Sequence, residues 1–182
     1  MRHFCTYFDR NYLIKGLSLI RSIIRSYGDG AKIFVVCMDE YTRVIFDELS
    51  ISQVELIPLH TIEQGDATLL GCRFNRSTVE YLWTLTPTIV LRILERHSEI
   101  EVLTYVDADM FLFNDAEDLF TEFGSNSVLI HEHRFPPALA HLKDFGVNNV
   151  GIMMFRRDES GLQVLKWWRE RCIEWCKATL ED

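Results

Sequence analysis

Val102-Leu103-Thr104-Tyr105-Val106-Asp107-Ala108-Asp109 is the stretch of sequence that decides the fold. An apolar run over residues 102–106 ends abruptly in two carboxylates, which one small residue separates. Such a run is typical of a strand that is buried on both faces of a parallel sheet. Ligands of open α/β sheets gather just beyond the carboxyl ends of such strands. The stretch therefore predicts an α/β fold with a ligand site at Asp107 and Asp109.

The rest of the chain alternates between strand-like and helix-like segments. Apolar runs predict strands at residues 3–8, 33–38, 54–59, 128–131 and 149–155. Apolar stripes and capping residues predict helices at residues 11–27, 41–49, 77–83, 86–97, 115–123 and 159–179. Residues 61–76 give little signal for either a helix or a strand. Alternating elements with short links predict a mostly parallel central sheet with helices on both faces, in a single domain over residues 1–182.

Two of these helices carry more detailed predictions. Thr86 is a good N-cap and Pro87 suits a first helical position, so a corner between two helices is expected there. The closing helix places one set of apolar residues on a single face, which is predicted to be core: Leu162, Leu165, Trp168, Cys172 and Trp175.

The composition excludes several classes of protein. A net charge of −8 argues against a nonspecific grip on nucleic acid, which needs a basic footprint. No apolar stretch approaches the ~20 residues of a membrane span. The N-terminus lacks the apolar core of a signal peptide, and the five cysteines fit free thiols in a reducing compartment. These features predict a cytoplasmic protein without a membrane span.

The two aspartates at the end of the central strand suit a hard cation. Asp107 and Asp109 each offer oxygen to Mg²⁺ or Mn²⁺ and leave coordination positions for phosphate oxygens and water. The alternative is that the pair caps the next turn or helix, as aspartate often does. Because hard cations usually accompany phosphates, the pair predicts an enzyme acting on a phosphorylated or nucleotide substrate.

The exit of the first strand is a second candidate site. In a doubly wound sheet, the first strand-to-helix turn binds nucleotides. Asp9 or Asn11 suits a hydrogen bond to a base edge, and a neighbouring tyrosine suits stacking on the base. The alternative is that Asp9 or Asn11 caps the helix. The chain has no Gly-x-Gly-x-x-Gly motif and no Walker loop, so dinucleotide and P-loop sites are excluded.

Three further segments carry polar groups. A helix that begins at Thr86 offers an anion site at its N-terminus. His133 leaves the sheet on the same side as the aspartates, and a zinc pair with His131 is less favoured than a polar strand end. Asn148 and Asn149 suit sugar hydroxyls, with turn chemistry as the alternative.

Several spaced motifs together resemble a known family. They are T-Y-F-D-R-N-Y-L-I-K-G-L-S-L-I-R-S (6–22), E-Y-L-W-T-L-T-P (80–87), T-Y-V-D-A-D-M-F-L-F (104–113), H-R-F-P (133–136), N-V-G-I-M-M-F-R-R-D (149–158) and W-W-R-E-R-C-I-E-W-C (167–176). In this order the motifs resemble GT-A-fold nucleotide-sugar glycosyltransferases. Glycosyltransferase family 8 is the nearest well-described relative, and a bacterial set of nucleotide-diphospho-sugar transferases is the closer match. The resemblance implies a Rossmann-like GT-A fold.

The resemblance also implies a metal-dependent hexosyltransferase that uses a nucleoside diphosphate sugar, with UDP-sugar as the expected donor. Asp107 and Asp109 would hold Mn²⁺ or Mg²⁺ against the diphosphate, which assists departure of the nucleoside diphosphate. The acceptor hydroxyl, on a glycan, lipid or protein, is not specified. The resemblance implies that the donor nucleotide binds near Thr6, Tyr7, Asp9 and Tyr12, and that Asn148 and Asn149 lie where such enzymes place the transferred sugar or the acceptor. Thr86, Ala108 and His133 complete the predicted nucleotide-sugar site.

Relatives in this family continue beyond the helix that closes the chain, with a Gly-Asp-Gln-type motif and, in family 8, a late histidine that completes the metal shell. The resemblance thus implies that the chain lacks its C-terminal portion. Two other functions stay open. One is a nucleotide-sugar-binding module without turnover. The other is a haloacid-dehalogenase-like phosphatase, in which Asp107 would be the nucleophile.

Overall fold

The computed structural model of the chain describes residues 1–176, apart from the side chain of Phe145. Within them lie six strands: β1 (Arg2–Phe8), β2 (Ala31–Cys37), β3 (Val54–Pro58), β4 (Val102–Val106), β5 (Val128–Glu132) and β6 (Asn148–Arg156). The α-helices are α1 (Leu13–Tyr27), α2 (Glu40–Leu49), α3 (Leu59–Glu63), α4 (Ala67–Cys72), α5 (Thr78–Arg96), α6 (Glu117–Phe123) and α7 (Glu159–Trp175). Short 3₁₀ helices lie at Arg10–Tyr12, Gly28–Gly30 and Pro137–Phe145.

The six strands form one sheet in the order β3-β2-β1-β4-β6-β5. Strands β3, β2, β1 and β4 are parallel, and β6 is antiparallel to both β4 and β5. The α/β fold with a mostly parallel sheet is therefore confirmed. Because β5 runs in the direction of β4, the carboxyl ends of five strands and the start of β6 meet at one edge.

The sheet separates two apolar clusters, which confirms that helices cover both faces. Successive residues of a strand point to opposite faces, so Phe4 and Phe8 pack with α1 and α2, whereas Cys5 packs on the other side. On that second side, Tyr105 of β4 packs with α5, α7 and Phe155 of β6. Both clusters are fully buried at their centres.

Helix α1 lies unusually close to β1 at Gly16. A Cβ atom at Gly16 would lie 2.4 Å from Cε1 of Phe8, so only glycine fits while the Phe8 ring stays in place. The close approach brings the first turn of α1, with Lys15, next to the carboxyl edge of the sheet.

Helix α5 corrects the prediction of two helices that meet at Thr86. A single helix runs over Thr78–Arg96 with Pro87 inside it. Its N-cap is Ser77, which forms a capping box with Glu80. An internal proline costs a helix about 3 kcal/mol because it has no N–H to donate. Burial of residues 84–91 against the sheet outweighs that cost.

Two other segments differ from the sequence-based expectations. Residues 61–76, which give little signal in the sequence, contain the end of α3 and all of α4. In α7, Leu165 is buried and Trp168 stacks on Phe155, but Trp175 is 63% exposed, so its assignment to the core is wrong. Residues 177–179 of the expected helix lie outside the described residues.

Two predictions from composition concern membranes and thiols. In the described part of the chain, no helix has both the length and the apolar character needed to cross a bilayer. The five cysteines are free thiols, of which three are buried and Cys172 and Cys176 are partly buried. Burial raises the pKa of the Cys37 thiol to about 12, so this thiol is not an anionic nucleophile at neutral pH.

Candidate functional site

The carboxyl edge of the sheet gathers most of the predicted site residues. Asp9 and Tyr12 follow β1, and Asp107 and Asp109 follow β4. His133 follows β5. The two asparagines that begin β6 lie at the same edge because β6 runs in the opposite direction. The sheet topology thus places together residues that are up to 140 positions apart in the sequence.

Asp107 lies on the face of the sheet that α5 covers. The Tyr105 hydroxyl donates to Oδ1 of Asp107 at 2.6 Å, and the Asp107 backbone N–H donates to the carbonyl of Gly151 at 2.9 Å. Burial raises the pKa of Asp107, and the negative charge of Asp109 raises it further, although the bond from Tyr105 acts in the opposite direction. The protein surroundings of Asp107 therefore disfavour its ionised form.

Asp109 is more exposed and faces the other helix layer. Its Oδ2 lies 3.9 Å from Nζ of Lys15, on the first turn of α1. The same ammonium lies 4.3 Å from the centre of the Tyr12 ring. Both members of the ion pair are about half exposed, so water screens their attraction.

Tyr7 and Thr86 lie beneath the edge of the sheet. The Tyr7 hydroxyl donates to the carbonyl of Leu82 at 3.0 Å and lies 2.9 Å from the Thr86 hydroxyl. Thr86 is 2% exposed, so its side chain does not reach the surface of the site. Thr6 points to the opposite face of β1, where it is buried, and within residues 1–176 its hydroxyl has no hydrogen-bond partner. Ala108 is also buried.

Asp9 acts as a cap in this structure. Its Oδ1 accepts the Asn11 backbone N–H at 2.9 Å, and its Oδ2 accepts the Asn11 side-chain amide at 2.8 Å. The capping alternative is thus what the geometry shows, and contact of Asp9 with a base stays a prediction. Tyr12, by contrast, is exposed at the surface of the edge.

On the β6 side, Asn149 and His133 form a polar pair. The Asn149 amide nitrogen lies 3.0 Å from Nδ1 of His133, whose ring stacks on Phe135 at 4.6 Å between ring centres. Oδ1 of Asn149 accepts the Gly151 backbone N–H at 2.6 Å. A Cβ at position 151 would lie 2.8 Å from that same oxygen, so glycine permits the arrangement. Asn148 is exposed beside this pair.

A cavity that the sequence patterns do not predict lies at the ends of β2 and β3. It has a volume of about 310 Å³, and Asp39 lies on its wall. Oδ2 of Asp39 accepts the Arg10 backbone N–H at 3.0 Å, which ties the cavity to the exit of β1. The sequence contains a signal for this position, because Asp39 follows an apolar strand just as Asp107 does.

The residues at the edge fit a hard divalent cation in type and in charge. Asp107 and Asp109 supply oxygen ligands, and a cation between them would offset the repulsion between the two carboxylates. Tyr105 engages one oxygen of Asp107, and a carboxylate has a second one. Within residues 1–176 there is no cluster of three or more histidine, cysteine or acidic side chains that could hold a metal. Two protein carboxylates with water and phosphate oxygens are, however, a usual set for Mg²⁺.

Comparison with solved structures identifies the fold. The apo form of mouse xyloside xylosyltransferase 1 matches 94% of this chain and 71% of its own with a TM-score of 0.63 and 14% identity. The galactosyltransferase LgtC in complex with donor and acceptor sugar analogs matches 94% of this chain and 65% of its own with a TM-score of 0.62 and 14% identity. The chain has a GT-A fold. At these identities the likeness shows the GT-A fold alone.

Sequence comparison finds relatives of this chain that are themselves described as uncharacterized. The uncharacterized protein YfnF of Bacillus subtilis (strain 168) is 31% identical over 183 residues, which cover 96% of this chain and 59% of YfnF. The uncharacterized protein YfnD of the same strain is 27% identical over 180 residues, 98% of this chain and 57% of YfnD. The chain thus spans less than two thirds of either relative. No family model matches the chain, so membership of glycosyltransferase family 8 stays a prediction.

Proposed function

We propose that the chain is the donor-binding domain of a metal-dependent glycosyltransferase that moves a sugar from a nucleoside diphosphate sugar, expected to be a UDP-sugar, to an acceptor hydroxyl. The observation that carries the proposal is the position of Asp107 and Asp109. They lie at the carboxyl end of β4, beside β1, in the centre of a GT-A sheet. Solved structures with this fold include a xylosyltransferase and a galactosyltransferase seen with donor and acceptor sugar analogs.

The residues at the edge would contact different parts of the donor. Asp107 and Asp109 would hold Mn²⁺ or Mg²⁺, which supplies positive charge for the leaving diphosphate. Lys15 adds a second positive charge next to Asp109. Tyr12, which is exposed, offers a ring for the base.

The sugar end of the donor would lie on the other side of the aspartates. Asn149 and His133 lie there, and both carry groups that bond to hydroxyls. Gly151 connects them to the aspartates, since its carbonyl accepts the Asp107 N–H and its own N–H binds Asn149. The nucleoside end would then lie toward Asp39 and the cavity at the ends of β2 and β3.

A second candidate is a nucleotide-sugar-binding module without turnover. It is favoured by one observation: in the described part of the chain the two aspartates have no third acidic, histidine or cysteine ligand beside them. Both candidates predict donor binding, and they differ in whether the bond to the sugar is broken.

The experiment compares thermal unfolding of the chain with and without UDP-glucose and Mn²⁺. Under the proposal, the ligands together raise the Tm, and a variant with Asp107→Asn and Asp109→Asn loses the metal-dependent part of the shift. Asp47→Asn is the matched control, because Asp47 is an exposed aspartate on α2, away from the edge. A metal-independent shift of equal size in the double variant would contradict the role of the aspartates.

Turnover separates the remaining alternatives. Slow hydrolysis of UDP-glucose by the chain, lost in the double aspartate variant, would exclude the module without turnover. Hydrolysis of an aryl phosphate that is lost with Asp107→Asn alone would favour the phosphatase instead.

A further inference from the structure

Tyr105 is the residue that contacts the carboxylate of Asp107 most directly. Residues two apart in an extended strand lie on the same face, so the Tyr105 side chain reaches along β4 toward Asp107. Its hydroxyl donates to Oδ1 at 2.6 Å, and only 2% of Tyr105 is exposed. A phenol that is buried this deeply needs a partner, and here the partner is the carboxylate itself.

Behind Tyr105 lies a second tyrosine with its own supports. The rings of Tyr7 and Tyr105 have centres 5.9 Å apart. The Tyr7 hydroxyl is held by the carbonyl of Leu82 and the hydroxyl of Thr86, both on α5. Asp107 is thus connected through two tyrosines to a buried segment of α5, the same segment that carries the motif at residues 80–87.

We propose that Tyr105 is a positioning residue for the metal ligand Asp107, and that Tyr7 and Thr86 support Tyr105 from behind. The inference rests on the proposed function, since it assumes that Asp107 binds a divalent cation. It gives the buried Thr86 hydroxyl a role that direct contact with the donor cannot supply, because Thr86 is only 2% exposed.

The orientation of the Asp107 carboxylate affects how tightly it binds a metal. An aspartate side chain has two rotatable bonds, and a metal ligand loses affinity when its carboxylate is free to turn. Partners that hydrogen-bond a metal ligand fix its orientation, and their loss typically weakens metal binding by about 10- to 100-fold. The bond from Tyr105 holds one oxygen and so directs the second.

The competing explanation is that Tyr105 only fills the core. Its ring is among the largest fully buried side chains, so a structural role alone would explain its burial. Tyr105→Phe keeps the ring and removes only the hydroxyl. A purely structural role predicts a lower Tm and an unchanged affinity of the folded protein for metal.

The test measures the affinity for Mn²⁺ alone from the electron paramagnetic resonance signal of free Mn²⁺, with Tm recorded beside it. We expect Tyr105→Phe to weaken Mn²⁺ binding by about tenfold, and Tyr7→Phe to weaken it by less. Tyr81→Phe is the matched control, because the Tyr81 hydroxyl also donates to a buried carboxylate, that of Glu63, at the same distance of 2.6 Å. It should lower the Tm without changing Mn²⁺ affinity.

The possible results distinguish the positioning role of Tyr105 from the proposed function. If the wild type binds Mn²⁺ and both Tyr105→Phe and Tyr7→Phe bind it equally well, the positioning role is wrong and the proposed function stands. If the wild type does not bind Mn²⁺, the metal-dependent function fails and the inference fails with it. If Tyr105→Phe does not fold, Tyr7→Phe alone decides, since it loosens the support without touching the bond to Asp107.

Discussion

Replacing Lys15 with methionine removes the positive charge nearest to Asp109 and keeps most of the length of the side chain. Nζ of Lys15 lies 3.9 Å from Oδ2 of Asp109. At this distance two unit charges interact by about 1 kcal/mol in water and by about 4 kcal/mol at an effective dielectric constant of 20. Because both side chains are half exposed, the lower figure applies.

The ammonium competes with a divalent cation for the same carboxylate. Without it, Mn²⁺ alone should bind Lys15→Met about fivefold more tightly than the wild type, which corresponds to ~1 kcal/mol. The gain should shrink as salt rises, since the Debye length falls to ~3 Å at 1 M. With UDP present the sign should reverse, because the proposed site then loses a cation that faces the diphosphate.

Isothermal titration with Mn²⁺, in low and high salt and with and without UDP, measures all three effects. Lys32→Met is the matched control, because Lys32 pairs with Glu55 at 3.1 Å on strands β2 and β3, away from Asp109. An unchanged affinity of Lys15→Met for Mn²⁺ at low salt would refute the reasoning, since a cation at the aspartate pair cannot be indifferent to a charge 3.9 Å from Asp109.

Three further predictions concern stability. Gly161→Ala should lower the free energy of unfolding by about 3 kcal/mol in urea titrations, because the new Cβ would lie 2.2 Å from the carbonyl oxygen of Arg156; an unchanged midpoint would contradict this packing. Ser77→Ala should cost about 1 kcal/mol by removing the capping box with Glu80, and far-ultraviolet circular dichroism during the same titration follows the loss. The Gly161 backbone N–H holds the pKa of Asp158 below its usual value, so the stabilisation from Asp158 is full above about pH 4 and is lost as the pH falls through its folded pKa. Stability of Asp158→Asn, measured from pH 6 to pH 3, should therefore fall less steeply than that of the wild type.

The sequence predicts the sheet well because its signals are local. Apolar runs mark all six strands in the described part of the chain to within two residues, and the order of elements follows from them. The continuity of α5 is not predictable in this way. Thr86-Pro87 is a strong local sign of a helix start, and only burial against a sheet that is distant in sequence overrides it.

The site is predicted less completely, because its geometry also depends on contacts between residues that are distant in sequence. The positions of Asp107 and Asp109 follow from the end of one strand. Whether Tyr7 and Thr86 face a ligand or each other depends on how α5 crosses β1, which no local pattern encodes. The register of β1 against β4 matters too. Cys5 pairs with Tyr105, and this register brings the rings of Tyr7 and Tyr105 next to each other.

Aspartates directly after strands are frequent in this chain, and their different uses favour the proposed role of the central pair. Asp9, Asp39 and Asp158 follow β1, β2 and β6, and each accepts a backbone N–H of the helix that it caps. Asp107 and Asp109 follow β4, but the next helix begins only at residue 117. Within residues 1–176 their side chains accept a tyrosine hydroxyl and face a lysine, and neither accepts a backbone N–H. The other three carboxylates cap helices. Asp107 and Asp109 instead contact the side chains of Tyr105 and Lys15 at the edge, which is the arrangement that a ligand site requires.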